Sequence, residues 1–269
     1  MSRLYVATAN THFGRMLDTP GGFEAIQHAD VLLMQEVLAP SDRVQQRLEV
    51  HGFQLVHSDA STGLAVALAT DGQYEAVHGS EETTELSPAV WGGASASESR
   101  LIQRMRARAA IGVTLRHAYT HTEFMVATAH PVVPARPIAR SRQVRELGRW
   151  LSGHPAENII LGADMNHYPA PRHVDRELEV VAGMQRVDIG DEVTWHMEGS
   201  NSELVGRIAS KFTRRDLADF DGQLDAMLYK GALAPVDVGV EDVASDHRAI
   251  VSQFELAGSG LTALGEGRP

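Results

Sequence analysis

Short apolar runs bounded by polar residues recur along the chain and predict a sheet-rich fold. Residues 4–7 and 31–34 are largely apolar throughout, as expected of strands buried on both faces. Residues 53–56 and 64–68 flank Asp59, Ser61 and Gly63, which predicts a hairpin-like connection. Residues 110–115 and 124–128, split by the polar stretch 117–123, predict a second such pair. Residues 159–161, 226–229 and 249–251 with Phe254 supply the remaining strands.

Helical spacing is clearest over residues 139–151. There Val144, Leu147 and Leu151 form one stripe, Arg142, Arg145, Glu146 and Arg149 lie off it, and Pro155 follows as a stop. Residues 41–50 predict another helix, with Ser41 as N-cap and Val44 and Leu48 facing inward, and residues 22–28 a short one. Two stretches are expected to lack regular structure. Residues 79–99 are acidic and then rich in Gly, Ala and Ser around Trp91, with Pro88 breaking any helix. Residues 196–222 carry Arg207, Lys211, Arg214 and Arg215 ahead of Asp225. Loops of this length in a compact domain are more often functional or disordered than idle. Without internal repeats or a domain linker, the pattern reads as one α/β domain over residues 1–256 and a Gly-rich flexible tail over 257–269.

Composition narrows the chemistry. With 269 residues, 43% of them hydrophobic, the chain can fill a large core. It has no cysteine, which excludes disulfides, thiolate nucleophiles and cysteine-ligated metals, so any metal must be held by oxygen and nitrogen. The formal net charge of -11 argues against a protein that coats DNA with lysines, yet a cation in an acidic site can still receive a polyanion. There is no apolar run of membrane-spanning length and no leader pattern, so the expectation is no membrane span and a cytoplasmic location. Walker and dinucleotide fingerprints and G-x-S-x-G are missing, so no nucleotide cofactor and no serine nucleophile are expected. His117 and His121 have the spacing of a helical metal pair but fall between two strands without the accompanying Glu, and are read as exposed loop residues.

Asn10, Gln35-Glu36, His130, Gly162-Ala163-Asp164-Met165-Asn166, Asp225 and Ser245-Asp246-His247 stand at the ends of the apolar runs. A folded sheet would gather these acids, amides and imidazoles in one crevice at its strand ends. Phosphodiester hydrolysis needs a cation, a base for water, donors to the developing charge and help for the leaving oxygen, and this set can supply each.

The ordered set resembles that of the endonuclease/exonuclease/phosphatase superfamily, over residues 4–254 or nearly the whole chain. The resemblance implies a four-layer α/β sandwich, two mixed β-sheets face to face with helices outside (DNase I-like), and hydrolysis of a phosphoester substrate with Mg2+ or Mn2+. It makes Glu36 the principal metal ligand, with Asn10 and Asp246 completing or orienting its shell. Asp164 would orient or deprotonate the attacking water, and Asn166 would donate to a phosphate oxygen. His247, held by Asp225, would contact the phosphate or move a proton, and His130 would be a second imidazole donor. Arg142 and Gln143 fall where the family has a scaffold pair.

Two positions depart from the pattern: Ala163 replaces a glycine, and Ala226 replaces an aromatic residue, which alters the expected pocket wall. No carboxylate partner for His130 is evident beyond the candidate Glu75. Arg100, Arg104, Arg106 and Arg108, with Arg136, Arg140, Arg142, Arg145 and Arg149, are read mostly as solvated faces. Arg214 and Arg215 are candidates to line the crevice with positive charge. The expected function is a Mg2+-dependent phosphodiesterase with nucleic acid as the leading substrate class. The alternatives are a phosphatase or a lipid or small-molecule phosphodiesterase. A catalytically inactive binding module would be expected to have lost Asp164, Asp246 or His247, and all are present.

Overall fold

The structure, a computed structural model, describes residues 3–87, 108–131, 137–166, 171–196 and 221–256. One six-stranded sheet runs in the order β14 (Leu233–Glu241), β15 (Ala249–Leu256), β1 (Arg3–Asn10), β2 (Val31–Gln35), β4 (Leu64–Ala69), β3 (Phe53–Asp59). The second runs β10 (Gln185–Arg186), β13 (Asp225–Lys230), β9 (Ile159–Asp164), β8 (Glu123–Ala129), β7 (Arg108–His117), β5 (Tyr74–Ala76), with β6 (Glu82–Leu86) also on β7. A two-stranded ribbon pairs β11 (Trp195–His196) with β12 (Asp221–Gly222). Both sheets are mixed, because β1 is parallel to β2 and β8 to β9 while their other pairings are antiparallel.

Strand periodicity builds the layers. In β1, Leu4 and Val6 enter the core between the sheets, whereas Ala7 and Ala9 face the helices outside. Val31 and Leu33 of β2 alternate in the same way with Leu32 and Met34, and Phe124 and Val126 of β8 with Met125 and Ala127. Helices α1 (Arg15–Asp18) and α2 (Ser41–Val50) cover the first sheet through Met16, Leu17, Val44 and Leu48. On the second, α3 (Pro137–Gly153) and α4 (Pro171–Ala182) bring Val144, Leu147, Leu151, Leu178 and Ala182. The result is the expected four-layer sandwich. At Gly162 the sheets approach so closely that a β-carbon would lie 2.5 Å from Thr8 Oγ1.

Several local expectations are corrected. Residues 21–28 form successive turns closed by bonds such as Ile26 N–H to Phe23 O (3.0 Å), not a helix. Gly21, at φ +79°, opens the segment in the left-handed region. The N-cap of α2 is Pro40, which offers no side-chain acceptor, and Ser41 Oγ instead pairs with Ser58 Oγ at 2.8 Å. Residues 82–86 of the stretch expected to be irregular form β6, because β7 is long enough to pair with both β5 and β6. His117 is not an exposed loop residue: it ends β7, is 2% exposed, and bonds to Gln73 and Thr120. Helix α4 and the half-exposed strand β14 are additions to the elements expected from the sequence. Residues 88–99, Arg100, Arg104, Arg106, Arg136, the basic cluster Arg207 to Arg215 and the tail lie outside the described residues.

Candidate active site

Parallel pairing places the site. Asn10 of β1 lies beside Gln35 of β2, so Glu36 leaves the sheet next to it. Ala129 lies beside Ala163, so His130 and Asp164 emerge together, and Asp225 pairs with Asp164 across the β9–β13 ladder. His247 precedes β15, held by a bridge to Trp195. Beneath them, the Gln35 amide ties the two sheets by donating to Thr8 Oγ1 (3.1 Å) and Thr128 Oγ1 (2.8 Å).

Asp164 is the hub. Its Oδ2 accepts from Asn10 Nδ2 (2.9 Å) and lies 3.2 Å from His130 Nε2 and 4.0 Å from His247 Nε2. Its Oδ1 accepts the Asn166 backbone N–H at 3.1 Å. On the far side of His247, Nδ1–H donates to Asp225 Oδ2 at 2.8 Å, which directs Nε2 toward Asp164. Ligand atoms of Glu36, His130 and Asp164 lie within 4.8 Å of one another, as do those of Asp164, Asp225 and His247.

Burial disfavours charge on Asp164, but His130 and His247, with hydrogen bonds from His130 and Asn10, hold its carboxyl well below the usual carboxylate range. Burial likewise opposes a charge on His247, yet Asp225 and Asp164 outweigh it and push the imidazole up to about 10. These shifts favour a carboxylate at Asp164 beside a protonated His247, while burial raises the pKa of Asp225 behind it.

No protein-family model and no curated protein matches the chain. Solved structures do. D. rerio TDP2 complexed with single-strand DNA product superposes with a TM-score of 0.66 at 13% identity, over 95% of this chain and 100% of that one. The endonuclease/exonuclease/phosphatase from Bacteroides vulgatus gives 0.64 at 16% identity, over 95% and 100%. The Bacteroides thetaiotaomicron mannosyl-6-phosphatase gives 0.61 at 12%, over 94% and 99%. The chain has the DNase I-like fold of the endonuclease/exonuclease/phosphatase superfamily.

In this DNase I-like crevice seven of the eight residues singled out from sequence meet in one network of hydrogen bonds and close ligand atoms around Asp164. Asp246 stands to one side. Its Oδ1 pairs with His12 Nδ1 at 2.6 Å, while the neighbouring Ser245 Oγ donates to Asn10 O at 2.8 Å and the His12 N–H to Asn10 Oδ1 at 3.0 Å. His12 was not anticipated, although an imidazole two residues after Asn10 is visible in the sequence.

Arg108 is an exception among arginines read mostly as solvated. It opens β7, is 9% exposed, and donates from Nη1 to His130 Nδ1 at 3.1 Å. Glu75, the candidate partner for that imidazole, lies on β5 opposite Arg116, near the other end of β7. The signal for Arg108 was its position directly before an unbroken apolar strand. Burial lowers the guanidinium's pKa from its usual value, against the opposing pull of Glu36 and Asp164.

The backbone is strained here as well. Glu36 has φ +58° and Asn166 φ +51°, and His12 and Phe13 are also left-handed. Gly63 permits the Glu36 turn: its own φ is +72°, its carbonyl accepts the Val37 N–H at 2.8 Å, and a β-carbon there would lie 3.3 Å from Glu36 Cα. The half-buried Glu36 carboxylate makes no hydrogen bond or ion pair among the described residues, which suits it to receive a cation.

Proposed function

We propose that this chain is a metal-dependent phosphoester hydrolase that cleaves phosphodiesters, with nucleic acid as the leading substrate class. The observation that carries the proposal is the Asp164 carboxylate set between two imidazoles, beside the uncommitted carboxylate of Glu36. Glu36 would hold Mg2+ or Mn2+, with Asn10 and Asp246 completing its shell, an oxygen-rich set suited to a hard cation. Such a cation would neutralise phosphate charge and lower the pKa of water.

The chain's own groups supply the rest. Asp164, ionised and fixed by Asn10, His130 and the Asn166 N–H, orients the attacking water and accepts its proton. Asn166 keeps part of its amide for a phosphate oxygen, since among the described residues its Nδ2 donates one bond, to Pro131 O at 3.3 Å. His247, charged through Asp225, faces the developing charge and can hydrogen-bond or protonate the leaving oxygen. His130 donates to Asp164 and holds its carboxylate in place.

Similarity to a structure holding single-strand DNA product supports a nucleic acid substrate. Similarity to a sugar phosphatase, together with the net charge of -11, favours a small phosphoester as the second reading. Supercoiled plasmid incubated with the protein and Mg2+, beside an EDTA control and the Asp246→Ala variant, separates them. Nicking that is lost in both controls is the expected result. A folded, metal-loaded protein that leaves plasmid intact but releases phosphate from sugar phosphates would replace the first reading with the second, and inactivity on both substrates would refute the hydrolase.

A further inference from the structure

The two imidazoles around Asp164 are held in opposite ways. A histidine ring nitrogen takes its role from what the other nitrogen touches. For His247 the partner is a carboxylate, so Nδ1 carries a proton and donates it to Asp225. For His130 the partner is the guanidinium of Arg108, which has donors and no acceptor. Nδ1 of His130 must therefore accept, and its ring proton sits on Nε2, 3.2 Å from Asp164 Oδ2.

Arg108 is an expensive way to make that one bond. Its side chain is almost wholly buried, its Nε has no partner, and it makes no ion pair among the described residues. Burying a guanidinium without a paired carboxylate is costly, and an apolar residue opening β7 would avoid the cost. The only side-chain hydrogen bond that Arg108 makes among the described residues is to His130.

We propose that Arg108 is a positioning residue that, through its Nη1–H···Nδ1 bond, locks His130 in the Nε2–H tautomer, so that His130 acts as a fixed donor clamping the Asp164 carboxylate. The donors then run one way, from Arg108 to His130 to Asp164, and with Asn10 they leave Asp164 little freedom to turn from the attacking water. The kinetic consequence rests on the hydrolase reading, but the tautomer does not.

The test uses imidazole 15N–1H correlation spectra of the 15N-histidine-labelled, metal-free protein, with the His130 signals assigned by their loss in His130→Gln. The expected spectrum shows His130 with a protonated Nε2 and a bare Nδ1. Arg108→Met, which keeps the apolar stem and removes the donor, is expected to mix the tautomers and to lower kcat about 10- to 100-fold, with KM changed less than about 3-fold. Arg108→Lys, which restores a donor, is expected to recover the single tautomer and most of kcat. A wild-type His130 protonated on Nδ1 overturns the proposal. So does an Arg108→Met variant with an unchanged His130 spectrum and unchanged kcat. If Arg108→Met does not fold, the wild-type and Arg108→Lys spectra still decide. A wild-type protein that shows the Nε2–H tautomer but hydrolyses no phosphoester would refute the proposed function and leave the tautomer assignment standing.

Discussion

Strand β7 carries a buried polar residue at each end, and the two ends follow different rules. At the far end, His117 Nε2 meets Gln73 Oε1 at 3.1 Å, and Nδ1 accepts the Thr120 N–H at 3.1 Å within the turn that follows. These partners are neutral, and Thr120 is close in sequence. At the site end, Arg108 reaches His130, then Asp164, which in turn binds Asn10, 154 residues away. Among the described residues, Arg108 Nε, Asp225 Oδ1 and Gln35 Oε1 have no hydrogen-bond partner there. A buried polar group left unsatisfied costs about 1–3 kcal/mol, so such groups persist where a ligand or reaction uses them. The far end is arranged for stability. The site end holds charge and unused hydrogen-bonding capacity that stability alone would not retain.

That contrast can be broken most decisively at its centre. Asp164→Asn keeps the shape of the hub and removes its basicity, so turnover is expected to fall about 1,000-fold, with far-UV circular dichroism unchanged. Turnover within tenfold of wild type would show that Asp164 is only a structural acceptor. His117→Ala is expected to do the reverse, lowering unfolding free energy by about 1–3 kcal/mol while kcat stays within about twofold. Urea titration and steady-state rates on one preparation read both effects, and a folded but inactive variant would erase the distinction between the ends.

The smallest effect asks whether position or partner matters more. Asp59 lies in the turn leading to Gly63 at the site end, but its carboxylate is engaged locally by Ser61 N–H (2.9 Å), Ser61 Oγ (2.6 Å) and Thr62 Oγ1 (2.9 Å). Burial would raise its pKa, yet these bonds leave it below the ordinary carboxylate value. A folded-state pKa below the unfolded one stabilises above about pH 4 and loses that contribution as pH falls through the folded value. Asp59→Asn should therefore cost less than about 1 kcal/mol at neutral pH, given its partial exposure. The difference should shrink in acid, and turnover should be untouched. An identical loss in urea melts at neutral and acidic pH would count against the charge as its cause.

The sequence carried most of the frame because its signals are local. The alternation in β1, β2 and β8 follows from side chains pointing to opposite faces, and the stripe of Val144, Leu147 and Leu151 from the pitch of a helix. Asn10, Glu36, His130 and Asp164 were legible as a set because each polar residue ends or follows an apolar strand. Strand β6 was hidden because its residues are half-exposed and pair only because β7 offers a second edge.

Tertiary structure alone decided who touches whom. That His130 meets Arg108 rather than a carboxylate, that Asp246 turns to His12, and that His117 is enclosed while His121 is exposed all depend on strand register and on partners tens to hundreds of residues away. Sequence by itself determined which chemical groups were available and near which strand ends. The packing of two sheets determined their protonation partners, because burial and hydrogen bonding are properties of the neighbours that the fold supplies.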